Sequence, residues 1–81
     1  MNDLQKRMLT VKRELNETDA KLQRACERAE AIGDRHVRPE AEALKGQIID
    51  RYNDDIAALS QRRWELTQEL EELRDARLRG R

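Results

Sequence analysis

The chain has 81 residues, and its 17 Lys and Arg balance 17 Asp and Glu, so its formal net charge is zero. Charged residues make up 42% and hydrophobic residues only 37%, with one Trp, one Tyr and one Cys. This composition excludes several ordinary domains, a transmembrane span and a disulfide framework. A core this small is marginal, so we expect the chain to complete its burial against another molecule.

Charge and composition also bear on partners and location. A net charge of zero removes long-range attraction to nucleic acid or to anionic lipid. Residues 1–5 contain no apolar run and no small-residue cleavage site, so no signal peptide is predicted and a cytoplasmic location is expected. Arg outnumbers Lys by 13 to 4, a bias that fits a GC-rich genome and favours a bacterial or phage origin.

The first half of the chain carries an unbroken heptad repeat that predicts a helix over residues 3–32. Its apolar face, here called the seam, comprises Leu4, Met8, Val11, Leu15, Thr18, Leu22, Ala25, Ala29 and Ile32. Alternating steps of four and three residues keep these positions on one face over about 45 Å, at a rise of 1.5 Å per residue.

Residues 33–38 are predicted to form a turn. Gly33 suits the left-handed conformation that often closes a helix, and Pro39 suits the first position of the next one. Glu40 and Glu42 follow where the helix dipole favours acidic side chains. One continuous helix over the whole chain is the competing interpretation, which a Pro this close to a Gly disfavours.

A second helix is predicted over residues 39–78, followed by a basic tail at 79–81. Its seam comprises Ile49, Tyr52, Ile56, Leu59, Arg63, Leu66, Leu70, Leu73 and Arg77. The preceding Ala41, Leu44 and Ile48 lie one position out of phase, which predicts a stutter in the repeat near Ile48 and Ile49.

These elements predict an all-α fold, an antiparallel two-helix coiled-coil hairpin forming a single domain over residues 1–81. A register that aligns Leu4 with Leu70 centres the fold-back inside the predicted turn. The same register opposes charges of opposite sign at Arg7 and Glu69, at Glu14 and Arg62, and at Lys21 and Asp55. A shift by one heptad would oppose like charges, so these pairs select the register.

The two flanks of this hairpin differ in charge. Heptad positions g and c of both helices form a mostly charged g/c flank, whereas positions e and b form a mostly uncharged e/b flank. The e/b flank comprises Gln5, Leu9, Lys12, Asn16, Asp19, Gln23, Cys26, Glu30, Gly46, Asp50, Asn53, Ala57, Ser60, Trp64, Thr67, Glu71 and Arg74.

The e/b flank is the predicted interaction surface. Trp is enriched among interface anchors, and the register brings Trp64 beside Leu9. We expect a homodimer, in which two hairpins complete a four-helix bundle, or docking to a larger protein. The alternative is that Trp64 lies along its own helix. The predicted interface residues are Leu9, Cys26, Ala57, Ser60 and Trp64.

Two basic features are harder to interpret. Arg63, a seam residue opposite Val11, is expected to extend towards Glu14 or a partner's carboxylate, or simply to specify the register. A basic tip at the open end could bind phosphate or an acidic protein surface, or only complement the helix dipole in a solvated tail. This basic tip comprises Lys6, Arg74, Arg77, Arg79 and Arg81.

Groups that could support catalysis are sparse. His36 lies near Asp34 and Glu40 without the spacing of a zinc site, and Cys26 has no second Cys or His in register. We therefore predict a non-enzymatic interaction module, such as a small adaptor, assembly factor or inhibitor of a larger protein. No cofactor, metal, membrane or small-molecule substrate is expected. The alternative is a nucleic-acid-binding bundle dimer that uses the basic tip.

Overall fold

The computed structural model describes residues 2–80 and consists of two long helices packed against each other. Helix α1 spans Asp3–Gly33 and helix α2 spans Glu42–Arg79, with a short 3₁₀ turn at Pro39–Ala41 between them. No strand occurs within residues 2–80. The predicted all-α fold and helical hairpin are confirmed, and the hairpin is a thin rod with extents of 64 × 16 × 14 Å.

Helix α1 begins with a side-chain cap and ends without the predicted left-handed glycine. The Asn2 Oδ1 atom accepts a hydrogen bond from the Gln5 backbone N–H at 2.8 Å. At the other end, φ is not positive at Gly33, so that prediction is wrong. The helical conformation continues into Asp34, whose N–H donates to the Glu30 carbonyl at 3.0 Å. This bond satisfies a terminal carbonyl, so no left-handed residue is required.

The turn leads into α2 through Pro39. Arg38 is extended, at φ −66° and ψ 152°, as expected of a residue that precedes proline. The Ala41 N–H donates to the Arg38 carbonyl at 2.8 Å and closes the 3₁₀ turn, so α2 itself starts at Glu42 instead of Pro39. Lys45 Nζ reaches back to the Arg35 carbonyl at 2.8 Å and ties the turn to α2.

Helix α2 extends further than expected at its C-terminal end. Arg79 is its last residue, and the Gly80 N–H donates to the Ala76 carbonyl at 3.0 Å. Arg79 therefore belongs to the helix and not to a separate tail. Arg81 lies outside the described residues.

The core is concentrated at the open end of the hairpin, where the two chain ends meet. It is built from Met8, Val11, Leu66 and Leu70, and Leu15 and Leu73 pack against it. Val11 and Leu66 are both 0% exposed, and no other side chain is as completely enclosed within residues 2–80. The buried Thr18 hydroxyl donates to the Glu14 carbonyl of its own helix at 2.8 Å, so it needs no partner across the seam.

The register follows the predicted charge pairs at two of three positions. Arg7 pairs with Glu69, and Arg62 Nη2 lies 3.0 Å from Glu14 Oε2. At the third position, Lys21 and Asp55 line the same open cavity of about 400 Å³ but form no ion pair within residues 2–80. The small Ala25 beside them leaves this space unfilled, so both charged groups stay in solvent.

Candidate interaction surface

Large apolar side chains are exposed mainly on one side of the hairpin. Leu9 is 50% exposed, Trp64 59% and Leu78 68%. Each directly follows a seam residue, respectively Met8, Arg63 and Arg77, so all three occupy heptad position b on the e/b flank. The other large exposed apolar residue within 2–80 is Leu44, which lies near the turn. Trp64 thus leaves more than half of its surface open to solvent.

Two of these side chains line a groove at the open end of the e/b flank. Adjoining cavities of about 360 and 320 Å³ share Met8, Lys12 and Arg77 as walls. Leu9 borders the first cavity and Leu78 borders the second. We call this feature the open-end groove; its full lining is Gln5, Met8, Leu9, Lys12, Arg74, Arg77 and Leu78.

The open-end groove combines an apolar floor with a cationic rim. Lys12, Arg74 and Arg77 form no ion pair within residues 2–80, where cross-helix pairs instead involve Arg7, Arg62 and Arg63. Unpaired cations around exposed apolar groups can receive both the carboxylates and the apolar side chains of another surface. The groove is therefore suited chemically to an acidic, amphipathic partner.

An ion pair crosses the middle of the e/b flank. Arg63 Nε lies 2.5 Å from Asp19 Oδ1, so the expected extension of Arg63 towards Glu14 is wrong. The reason lies on the opposite flank, where Arg62 already binds Glu14. The head group of Arg63 is thus held on the e/b flank, where the interface is predicted.

The remaining predicted interface residues differ in exposure. Ala57 and Ser60 are exposed, whereas Cys26 is half-buried and carries a free thiol. Gly46, on the same flank near the turn, would find no atom within 4 Å of an added Cβ. The interface role of all these residues stays a prediction.

The predicted basic tip is divided between two surroundings. Arg74 and Arg77 belong to the open-end groove, whereas Lys6 and Arg79 are exposed elsewhere at that end. Arg81 lies outside the described residues. Sequence reasoning missed two members of the groove: it did not place Lys12 with the arginines, and it followed the e/b flank only to Arg74. Continuing the flank by one more turn would have reached Leu78.

The g/c flank, in contrast, pairs part of its charge within the chain. It carries the Arg7–Glu69 and Arg62–Glu14 pairs and a further contact between Arg62 and Glu65. Lys21, Arg24 and Arg28 surround the cavity beside Ala25. No three side chains of the types that bind metals lie together within residues 2–80, and His36 is exposed in the turn.

Comparison with known proteins finds no family model, no curated protein and no solved structure that matches this chain. Neither helix, over residues 2–80, contains an apolar stretch long enough to cross a lipid bilayer.

Proposed function

We propose that this chain is a non-enzymatic interaction module that binds a second copy of itself through the e/b flank. Two hairpins joined in this way form a four-helix bundle, which would then act as a small adaptor, assembly factor or inhibitor of a larger protein. The observation that carries the proposal is the exposure of Leu9, Trp64 and Leu78 on one flank. Large apolar groups collected on one surface are typical of binding sites.

Covering Trp64 with a partner would contribute favourable free energy to association. A buried aromatic side chain removes roughly 200 Å² from water, and 59% of this residue is still accessible. Covering that fraction would contribute roughly 3 kcal/mol for each copy at about 25 cal/mol per Å². Leu9 and Leu78 add to this term, whereas the ion-paired g/c flank offers no comparable gain.

The small core supports the same conclusion. In a hairpin each helix has a single neighbour, so the sides of the seam stay open to solvent. Leu22, Tyr52, Ile56 and Leu59 all remain half-buried for this reason. A second hairpin placed on the e/b flank would cover one of the two open sides, which is how two-helix units complete a bundle.

Sedimentation equilibrium tests the proposal directly. The chain has a mass of 9.6 kDa, and we expect the wild type to approach twice that value as its concentration rises. Trp64→Ala should weaken association at least tenfold. Leu44→Ala is the matched control, because Leu44 is also 59% exposed but lies at heptad position c, outside the e/b flank. A wild type that stays monomeric, or a Trp64→Ala variant that associates normally, would contradict the proposal.

The open-end groove favours one second candidate, binding of nucleic acid through Lys12, Arg74 and Arg77. Glu71, Glu72 and Asp75 lie close to Arg74 and Arg77 along α2 and reduce the local positive charge. The test is titration of a mixed-sequence DNA duplex at two salt concentrations. If this function holds, Arg74→Ala combined with Arg77→Ala should weaken binding and flatten its salt dependence. An interaction module should show no appreciable affinity for the duplex.

A further inference from the structure

We infer that the second copy lies antiparallel on the e/b flank, so that the open end of each hairpin meets the turn end of the other. This inference rests on the proposed function, which it deepens by assigning the orientation of the partner. It is carried by the distribution of unpaired charge along the flank. Size complementarity between exposed side chains on the same flank supports it.

The e/b flank is basic at one end and acidic at the other. Lys12, Arg74 and Arg77 lie at the open end, where Glu71 offsets only part of their charge. Glu30 and Asp50, both exposed, lie at heptad position b near the turn. None of these six side chains forms an ion pair within residues 2–80. The ion pairs there are Arg7–Glu69, Arg62–Glu14, Arg62–Glu65 and Arg63–Asp19.

The two ends of one hairpin are too far apart to neutralise each other. Lys12 and Glu30 are separated by about 27 Å along α1, at 1.5 Å per residue. Salt screens exposed charges beyond about 8 Å at physiological ionic strength. A second copy turned end for end brings each basic end onto an acidic end. A parallel copy would place like charges together at both ends.

An antiparallel copy also matches large side chains to small ones. Leu9 and Cys26 lie at nearly equal distances from the two ends of α1, so full overlap sets Leu9 of one copy against the smaller Cys26 of the other. With the helices in the register of the Arg7–Glu69 pair, Trp64 then lies within about two turns of Gly46 of the second copy. Two-fold symmetry repeats this contact at the other end of the flank.

Gly46 has no evident role within its own chain. A helical glycine costs about 0.5–1 kcal/mol relative to alanine, φ is not positive at this position, and an added Cβ would meet nothing within 4 Å. A backbone that must be approached closely by another molecule does require glycine. The antiparallel pairing brings such a molecule, Trp64 of the second copy, to this part of α2.

Mixing the wild type with a charge-inverted chain tests the orientation. The inverted variant carries Lys12→Glu, Arg74→Glu, Glu30→Arg and Asp50→Arg, all at positions without internal ion pairs. It should form homodimers as the wild type does. In native mass spectrometry of an equal mixture, an antiparallel arrangement predicts far fewer heterodimers than the statistical half. Heterodimers at or above one half would overturn the inference, because parallel copies attract only in that mixture.

A distance measurement provides an independent check. A spin label at Glu72→Cys, in a Cys26→Ser background, lies on the g/c flank near the open end. Two such labels should be about 45 Å apart in the antiparallel dimer, at 1.5 Å per residue, and under about 25 Å apart in a parallel one. A dimer that depends on Trp64 but shows the short distance refutes the orientation alone. A wild type that never dimerises refutes the proposed function as well.

Discussion

The two halves of this hairpin use the same heptad pattern and pack differently. At the open end, Met8 and Val11 are buried against Leu66 and Leu70, and two cross-helix ion pairs lie beside them. In the half near the turn, Ala25 is the one buried hydrophobic residue, and a cavity of about 400 Å³ lies against it. The seam residue of α1 decides the difference, because a methyl group cannot fill the space that Met and Val fill.

This comparison indicates that the hairpin is held together mainly at the end opposite its turn. The contacts of Met8 with Leu66 and Leu70 close nearly the whole chain into a loop, so they are entropically the most expensive contacts to form. Once made, they hold both helices in register. The half near the turn keeps the two helices close together and contributes the Lys45 hydrogen bond, but it encloses little apolar surface. Four measurements test this contrast between the two halves.

The largest expected effect comes from removing the core at the open end. Leu66→Ala should lower the free energy of unfolding by about 2–5 kcal/mol, since Leu66 is 0% exposed and its loss leaves a cavity. Leu59→Ala, in the half-buried seam beside the cavity at Ala25, should cost only about 1 kcal/mol. Urea unfolding at one fixed protein concentration, followed by circular dichroism, compares the two. Equal losses would show that the halves are equally packed.

Amide hydrogen exchange should show the same contrast without mutation. We expect amides in residues 22–30 and 48–56 to exchange at least tenfold faster than those in 7–15 and 62–70. A factor of ten corresponds to about 1.4 kcal/mol of local opening free energy. The prediction fails if protection is uniform along both helices. Measurement at low protein concentration avoids protection by a second copy.

Much of this architecture could be predicted because heptad spacing and backbone geometry are rigid. The apolar steps of four and three residues led to two helices, and Arg7, Glu14, Arg62 and Glu69 led to their register. The predictions that failed concern long, flexible side chains for which several partners compete. Arg63 could reach several carboxylates, and it binds Asp19 because Glu14 is occupied on the other flank. Which carboxylate such a side chain binds depends on all the charged groups around it and does not follow from the heptad spacing.

The candidate surface was predictable in part for the same reason. Periodicity placed Leu9 and Trp64 on one flank, since a position on a helix face follows from residue number alone. The open-end groove was not predicted as a unit. Its walls include Lys12 and Arg77, whose long side chains approach each other from different levels of the two helices. On each helix the Cα–Cβ bonds tilt towards the N-terminus, so side chains on antiparallel helices lean towards each other along the hairpin axis. Counting heptad positions does not include this tilt.

A smaller effect is expected at Gly46, in the loosely packed half. Gly46→Ala should raise the free energy of unfolding of the monomer by about 0.5–1 kcal/mol, because the position is helical and open. If Trp64 of a second copy packs there, the same change should weaken dimerisation. Dilute thermal unfolding and sedimentation separate the two effects. A gain in both stability and dimerisation would exclude Gly46 from the interface.

The smallest effect distinguishes the charge pairs of the two halves. A double-mutant cycle with Glu14→Gln and Arg62→Gln should give a coupling energy of about 0.2–1 kcal/mol, because both side chains are partly exposed and their atoms lie 3.0 Å apart. The matched cycle with Lys21→Gln and Asp55→Asn should give none, since these groups form no ion pair beside the cavity. Raising the salt concentration should reduce the first value and leave the second unchanged. If the Lys21 cycle instead shows the larger coupling, the helices must approach more closely near the turn than the open seam around Ala25 allows, and the contrast between the two halves would disappear.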